Sequence, residues 1–399
     1  MDSAIPIAAL NSMSLEQQVV RLQALLEATR VIHSTIPANE VLTQAAHILV
    51  RELELEGAMF LDPRSGQIMV AYGAAPEAPW ETCLRFPLYS RDQQVLAELM
   101  ITITAGTDFS VYDQDFVEGL ALQTAAALEN ATLHERDLAW ARVQQDLDAA
   151  RAVQRSLLPK AMPDIPGFSI AWRSTTCYEV GGDYLDTFPL PDGSHLMVVA
   201  DVAGKGLTSA IVATGLRAAI RSLASQPVPL EQIAARIGQQ HWEEGVEARR
   251  RYMTALFLRL DAAAGAMEIV NAGHNPAALV LPGGGVTMIG ASGVPLGMLS
   301  GMSYSAQTLE FPAGARILLY TDGLTEVFQG EEEFGEKRLL AAFREMVTAR
   351  AEDILDSIWQ TLASYSNNAP QTDDMTALVV CRQISNWAGC PAKAYSHML

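Results

Sequence analysis

Leu196-Met197-Val198-Val199-Ala200-Asp201 and Ile317-Leu318-Leu319-Tyr320-Thr321-Asp322 are two apolar runs that each close on an aspartate. A third run, Asp373-Asp374-Met375-Thr376 leading into Ala377-Leu378-Val379-Val380, has the same make-up in reverse order. Short apolar runs of this kind read as buried strands, so each brings a carboxylate to the rim of a sheet. A fourth acidic site stands in Glu179-Val180-Gly181-Gly182-Asp183-Tyr184-Leu185-Asp186. For any one aspartate a turn or a helix cap is the simpler explanation. Four carboxylates gathered at strand ends would repel one another and lose hydration, a cost that a hard cation removes, and the set therefore points to metal binding.

Around these runs the second half of the chain reads as strands at Phe168 to Trp172, His195 to Ala200, Met253 to Leu260, Met267 to Val270, Pro276 to Val280, Arg316 to Tyr320 and Thr376 to Cys381. Helices are predicted at Leu207 to Ala224, Leu230 to Gly245, Glu336 to Thr348 and Ala351 to Ser364. Pro159, Pro163 and Pro166 open this region, because proline cannot continue a helical hydrogen-bond ladder.

The first half reads differently. Apolar residues at helical spacing predict helices from Leu15 to about Ser34 and from Val41 to Leu53. Short strands follow at Ala58 to Leu61, Gln67 to Ala71, Cys83 to Leu88 and Val95 to Thr104, a small antiparallel sheet. A stretch free of Gly and Pro from Leu120 to Leu158, in a pattern that starts at Asp113, predicts one long helix or two stacked end to end. Leu120, Thr124, Ala127 and Ala131 follow a three-four spacing that Leu147, Ala150 and Leu157 resume, with Gln154 in the seam. Two readings fit: a parallel helix pair between two subunits, or a helix packed on its own domain.

Composition excludes several classes. With 399 residues, two cores are expected. A formal net charge of -19 repels a phosphate backbone, and Arg249 to Arg251 is too short a basic run to counter it, so nucleic acid is not an expected partner. Cys83, Cys177, Cys381 and Cys390 lack the paired spacing of zinc or redox motifs, as in a reduced cytoplasm, where we expect the protein. No uncharged apolar run reaches the roughly 18 to 20 residues of a membrane span, so no membrane partner is expected.

The second half resembles the SpoIIE-type, RsbU-like branch of the PPM, or type 2C, protein phosphatases. The matching motifs run in family order: Ala152 to Pro159, Glu179 to Asp186, Asp201-Val202-Ala203-Gly204-Lys205-Gly206, Asn271 to Pro276, Gly293 to Gly297, Tyr320-Thr321-Asp322-Gly323 and Asp373-Asp374-Met375-Thr376. The resemblance implies an α+β chain whose C-terminal part is an α-β-β-α sandwich with a two-ion Mn²⁺ or Mg²⁺ site. By the same resemblance Asp201 bridges the metals, the Val202 carbonyl binds one, and Asp183, Asp322 and Asp373 supply the other carboxylates. Two such cations, roughly 3.5 to 4 Å apart, activate water for in-line attack on phosphorus. Oxygen donors without clustered His or Cys agree with Mg²⁺ or Mn²⁺ rather than zinc.

Gly204 and Gly206 would let backbone N–H groups approach a phosphate. Lys205 either assists there or is a solvated loop lysine; Asp186 and Glu326 are either outer supports of the site or cap and surface groups. Ala203 stands where eukaryotic type 2C enzymes carry a histidine, which leaves protonation of the leaving group unassigned. His274 reads as a hairpin hydrogen-bonder or a proton shuttle.

The first half resembles a GAF sensory domain in element order, without the Asn-Lys-Phe-Asp-Glu signature of cyclic-nucleotide binders. The expected organisation is an N-terminal extension at 1–16, the GAF-like domain at 17–135, a helical linker at 136–160, the phosphatase domain at 161–384 and a loose tail at 385–399. The family's usual substrate is a phosphorylated STAS-domain anti-sigma-factor antagonist in a partner-switching pathway. The helix would then pair two subunits into a homodimer and pass a signal from the front domain, with Gln154 packing near the metal site. The alternative from another class is a non-catalytic signalling scaffold that kept the fold and binds a partner protein.

Overall fold

The computed structural model describes residues 15–34, 37–74, 83–103, 109–346, 350–367 and 369–384. The expected N-terminal extension falls almost wholly, and the tail at 385–399 entirely, outside them, as does Cys390. The chain divides into two compact units, Met1–Gln144 and Gln145–Leu399.

In the first unit, α1 (Leu15–Ser34) and α2 (Ala38–Leu53) precede β1 (Gly57–Leu61), β2 (Ile68–Gly73), β3 (Leu84–Tyr89) and β4 (Val95–Thr102). The strands form one antiparallel sheet in the order β2-β1-β4-β3. Val41, Leu42, Ala45 and Leu49 of α2 pack with Ala58, Phe60, Leu99 and Ile101 of the sheet in its core.

The helix α3 (Val111–Leu157) is a single element of 47 residues, and the division between the units falls within it. Leu120, Thr124, Ala127 and Ala131, the residues at seam spacing, are buried in the first unit's own core. The three-four spacing there marks intramolecular packing, because one buried stripe looks the same whether its cover is the same chain or another. A different face of α3 is exposed: Leu122, Leu133, Trp140 and Val143 stand open to solvent.

The second unit holds two five-stranded antiparallel sheets. Its elements are β5 (Phe168–Thr175), β6 (Tyr184–Pro189), β7 (His195–Val202), α4 (Leu207–Ala224), α5 (Leu230–Glu243), the short α6 (Val246–Arg249), β8 (Met253–Asp261), β9 (Ala266–Ala272), β10 (Ala277–Val280) and β11 (Val286–Ile289). They continue as β12 (Gln307–Glu310), β13 (Arg316–Tyr320), a 3-10 turn (Asp322–Leu324), β14 (Phe328–Gln329), β15 (Glu332–Glu333), α7 (Gly335–Glu345), α8 (Ala351–Ser366) and β16 (Met375–Arg382).

One sheet runs β11-β10-β13-β16-β5 and the other β12-β9-β8-β7-β6. Leu185, Met197, Val199, Leu256 and Leu258 of one sheet meet Ile317, Leu319, Leu378 and Val380 of the other in a shared core. The alternate residues of the same strands face outward onto helices: Val198, Ala200 and Phe257 onto α4 and α5, Leu318, Tyr320 and Val379 onto α7 and α8. Central strands buried on both faces explain why they read as unbroken apolar runs. The result is the α-β-β-α sandwich.

Candidate metal centre

Strand register brings the acidic residues together in pairs. Tyr184 of β6 lies opposite Ala200 of β7, so the next step of the ladder sets Asp183 beside Asp201. On the other sheet Tyr320 of β13 lies opposite Ala377 of β16, and Asp322 and Asp373 sit just beyond those ends. Each sheet thus offers two carboxylates. Asp201 is raised first by burial and then by the charges of Asp322, Asp373 and Asp374, up to about 7. Asp183 is pushed well above the usual carboxylate range, first by burial and then by Asp201. Asp322 is raised by burial and by Asp373. Carboxylates from both sheets therefore feel one another at a single rim.

Their orientations differ. Asp373 accepts Lys205 Nζ at 2.8 Å and its own neighbour's N–H, from Asp374, at 2.8 Å. Thr321 Oγ1 donates to Asp183 at 2.9 Å. Among the described residues no three His, Cys, Asp or Glu side chains are placed as a ready chelate for one ion. The rim gathers the charges, with Asp373 engaged by Lys205 and Asp183 by Thr321.

Two glycines shape the rim by absence of a side chain. A Cβ on Gly182 would lie 3.0 Å from the Val202 carbonyl oxygen, 3.2 Å from Ser209 Cβ and 3.3 Å from an Asp201 carboxylate oxygen. The Gly182 backbone thereby packs directly on Asp201 and on the carbonyl expected to serve as a ligand. A Cβ on Gly323 would run into the Asp374 carbonyl. Gly204 (φ 102°) and Gly206 (φ 76°) hold backbone conformations that L side chains rarely adopt, and they turn the chain from β7 into the uncapped N-terminus of α4.

Asp374 is the functional candidate that sequence reasoning left without a role, while Gln154, expected near the metal site, lies beside the Gly-Gly loop there. Asp374 accepts the N–H of Cys177 at 2.7 Å and of Gly182 at 2.8 Å, which pins the Gly-Gly loop to the β16 entry. The doubled Asp373-Asp374 in front of a strand was the available signal. Gln154, near the end of α3, bonds to Gly181.

The remaining candidates lie elsewhere or play other parts. Asp186 is fully buried on the helix side of β6, where it accepts Arg221 Nε at 2.6 Å, Arg221 Nη2 at 2.7 Å and the Tyr184 hydroxyl at 2.8 Å. It holds α4 to β6 and does not belong to the rim. Glu326 is raised by burial and then by Asp322 and Asp373, so it borders the rim. His274 is buried, its Nδ1 2.8 Å from Thr254 Oγ1, and burial pushes it down to about 4. Thr254 Oγ1 in turn lies 3.4 Å from the Asp201 carbonyl, so this neutral histidine braces the end of β7.

Residues 191–383 match the family model described as Stage II sporulation protein E (SpoIIE). Among curated proteins the chain is similar to Protein IcfG of Synechocystis, 24% identical over 263 residues, covering 59% of this chain and 41% of that one. It is similar to phosphoserine phosphatase RsbP of Bacillus subtilis, 27% identical and covering 46% of each. Phosphoserine phosphatase RsbU of the same organism is 23% identical, covering 61% of this chain and 71% of RsbU. The chain thus spans less than half the length of the first two relatives. Among solved structures, the SiaA-PP2C domain of Pseudomonas aeruginosa superposes with a TM-score of 0.53 at 23% identity, covering 60% of this chain and 97% of that one, which shows the PP2C fold.

Proposed function

We propose that this chain, which carries a SpoIIE/PP2C-type domain, is a metal-dependent phosphatase that removes phosphate from serine or threonine of a regulatory protein. The observation that carries the reading is the meeting of Asp183, Asp201, Asp322 and Asp373 at one rim, two from each sheet. Mutual repulsion among buried carboxylates is a standing cost to the fold, and a hard divalent cation relieves it. The donors are all oxygen, which fits Mg²⁺ or Mn²⁺. The four aspartates and the Val202 carbonyl would hold two such ions. Ions so held acidify water and offset phosphoryl charge.

The chain's own groups prepare the rim. Thr321 orients Asp183, Asp374 fixes the Gly182 amide, and Gly204 and Gly206 leave the start of α4 open to an anion. Lys205, bonded to Asp373 and to the Thr372 carbonyl, occupies the place a cation would take and would swing toward phosphate once Asp373 is engaged. His274 is buried and braces β7, so we do not assign it as the acid for the leaving group.

The names of RsbP and RsbU, phosphoserine phosphatases, support the substrate class, and by family resemblance the phosphoprotein is of the STAS type. The first unit would act as a GAF-like sensory domain. Leu122, Leu133, Trp140 and Val143 fall on one three-four ladder of α3 and would pair two copies of the chain.

The absence of a ready chelate among the described residues favours a second reading, a scaffold that binds its partner without turnover. Hydrolysis of p-nitrophenyl phosphate, measured with Mn²⁺ and with EDTA, separates the two. A phosphatase turns over with Mn²⁺ and falls to background with EDTA or as Asp201→Asn; a scaffold shows no turnover in any condition.

A further inference from the structure

A cleft of about 350 Å³ opens between α8 and the β14–β15 hairpin. Its walls include Phe328, Trp359, Ala363 and Met375, and it is also lined by Gly323 and Thr372, the chain neighbours of Asp322 and Asp373. Whatever fills the cleft therefore lies against the aspartate rim.

The cleft is built in advance. Thr372 Oγ1 donates to the Glu326 carbonyl at 2.9 Å, which ties the loop before β16 to the loop after β13. Tyr365 of α8 donates its hydroxyl to the Glu332 carbonyl at 3.2 Å and meets Phe334 edge-on at 5.1 Å, which fastens the helix to the hairpin. Trp359 is steadied by the Arg173 guanidinium, 5.3 Å from its ring centroid. Preformed apolar clefts of this size hold a few side chains, and partly exposed aromatics are the usual anchors of protein contacts.

Charge selects the occupant. Glu331 and Glu333 stand exposed on the hairpin, Glu333 directly opposite Phe328, while Glu332 is paired with Arg338; the rim aspartates lie at the other boundary. An acidic flank would be repelled from both sides, whereas an apolar side chain loses nothing by entering.

We propose that this cleft docks the polypeptide carrying the phosphorylated serine or threonine, taking an apolar side chain beside it and rejecting acidic neighbours. The proposal rests on the phosphatase reading and adds a determinant of substrate choice. One apolar contact in a pocket separates competing substrates by about tenfold or more.

The test uses the full chain with Mn²⁺ and two synthetic phosphothreonine peptides, identical except for leucine or glutamate on either side of the phosphothreonine. The wild type is expected to favour the leucine peptide in kcat/KM by about tenfold. Ala363→Trp fills the cleft from an exposed position on α8, and Phe328→Ala removes one wall. Each variant is expected to lose the preference through KM while p-nitrophenyl phosphate hydrolysis stays unchanged. Equal use of the two peptides by the wild type, no use of either beside intact p-nitrophenyl phosphate hydrolysis, or a preference that survives in both variants overturns the docking proposal alone. No hydrolysis of any of the three compounds overturns the phosphatase reading and this proposal with it.

Discussion

The side-chain amide of Gln154 grips both backbone groups of Gly181: Nε2 donates to its carbonyl at 2.7 Å, and Oε1 accepts its N–H at 3.1 Å. Gly181 lies two residues before Asp183, in the loop that also packs on Asp201 through Gly182. A residue near the end of α3 therefore sets the position of a rim loop. Gln154→Ala is expected to raise the Mn²⁺ concentration for half-maximal activity by up to about thirtyfold, the limit set by two hydrogen bonds of about 1 kcal/mol each. A metal titration of p-nitrophenyl phosphate hydrolysis reads the shift.

The rim makes stability depend on pH in a definite direction. Asp201 has a folded-state value of about 7 against an ordinary 3.8, so between those values the folded chain holds more protons than the unfolded one. Metal-free protein is then expected to lose stability as pH rises from about 4 to about 7, the opposite of an ion-paired carboxylate. Thermal melts in EDTA should give a lower Tm at pH 7.5 than at pH 5.5. Mn²⁺ should stabilise more at pH 7.5, where protons no longer compete, and metal-free Asp201→Asn should melt above metal-free wild type at that pH.

Asp186 gives a contrasting case. Its partners are Arg221, Arg217 and Tyr184, all on the helix side of β6. Asp186→Asn is expected to cost about 2 kcal/mol, less than a fully buried pair because the Arg221 side chain is 40% exposed. Chemical denaturation measures that loss, and the half-saturating Mn²⁺ concentration should stay at the wild-type value.

The exposed ladder on α3 predicts an association. Trp140→Glu, at a position 69% exposed, removes an apolar contact without touching a core. Light scattering is expected to give a dimer for the wild type and a monomer for the variant, with an unchanged circular dichroism spectrum. A monomeric wild type would remove the helix-pair proposal.

Much of the second unit was legible because its central strands are buried on both faces, and continuous apolar runs such as Leu196 to Ala200 and Ile317 to Tyr320 follow from that burial. The strands β6, β11 and β12 escaped notice for the converse reason. Tyr184–Pro189 interrupts its apolar pattern with Asp186 and Thr187, and Val286–Ile289 and Gln307–Glu310 are short edge strands with exposed residues. Leu120, Thr124, Ala127 and Ala131 were legible as a stripe with two candidate covers, and the structure packs them in their own unit. Spacing fixes a face and leaves its cover open. The doubled Asp373-Asp374 marks the place of Asp374, but its bonds to the Cys177 and Gly182 main chain leave no trace in sequence spacing.

Isothermal titration of the metal-free chain with Mn²⁺ tests the central claim most directly. The account predicts two Mn²⁺ ions per chain in the wild type, with binding lost or reduced to one weak ion in Asp201→Asn while that variant stays folded. A wild type that takes up no Mn²⁺, or an Asp201→Asn variant that binds as the wild type does, would contradict it.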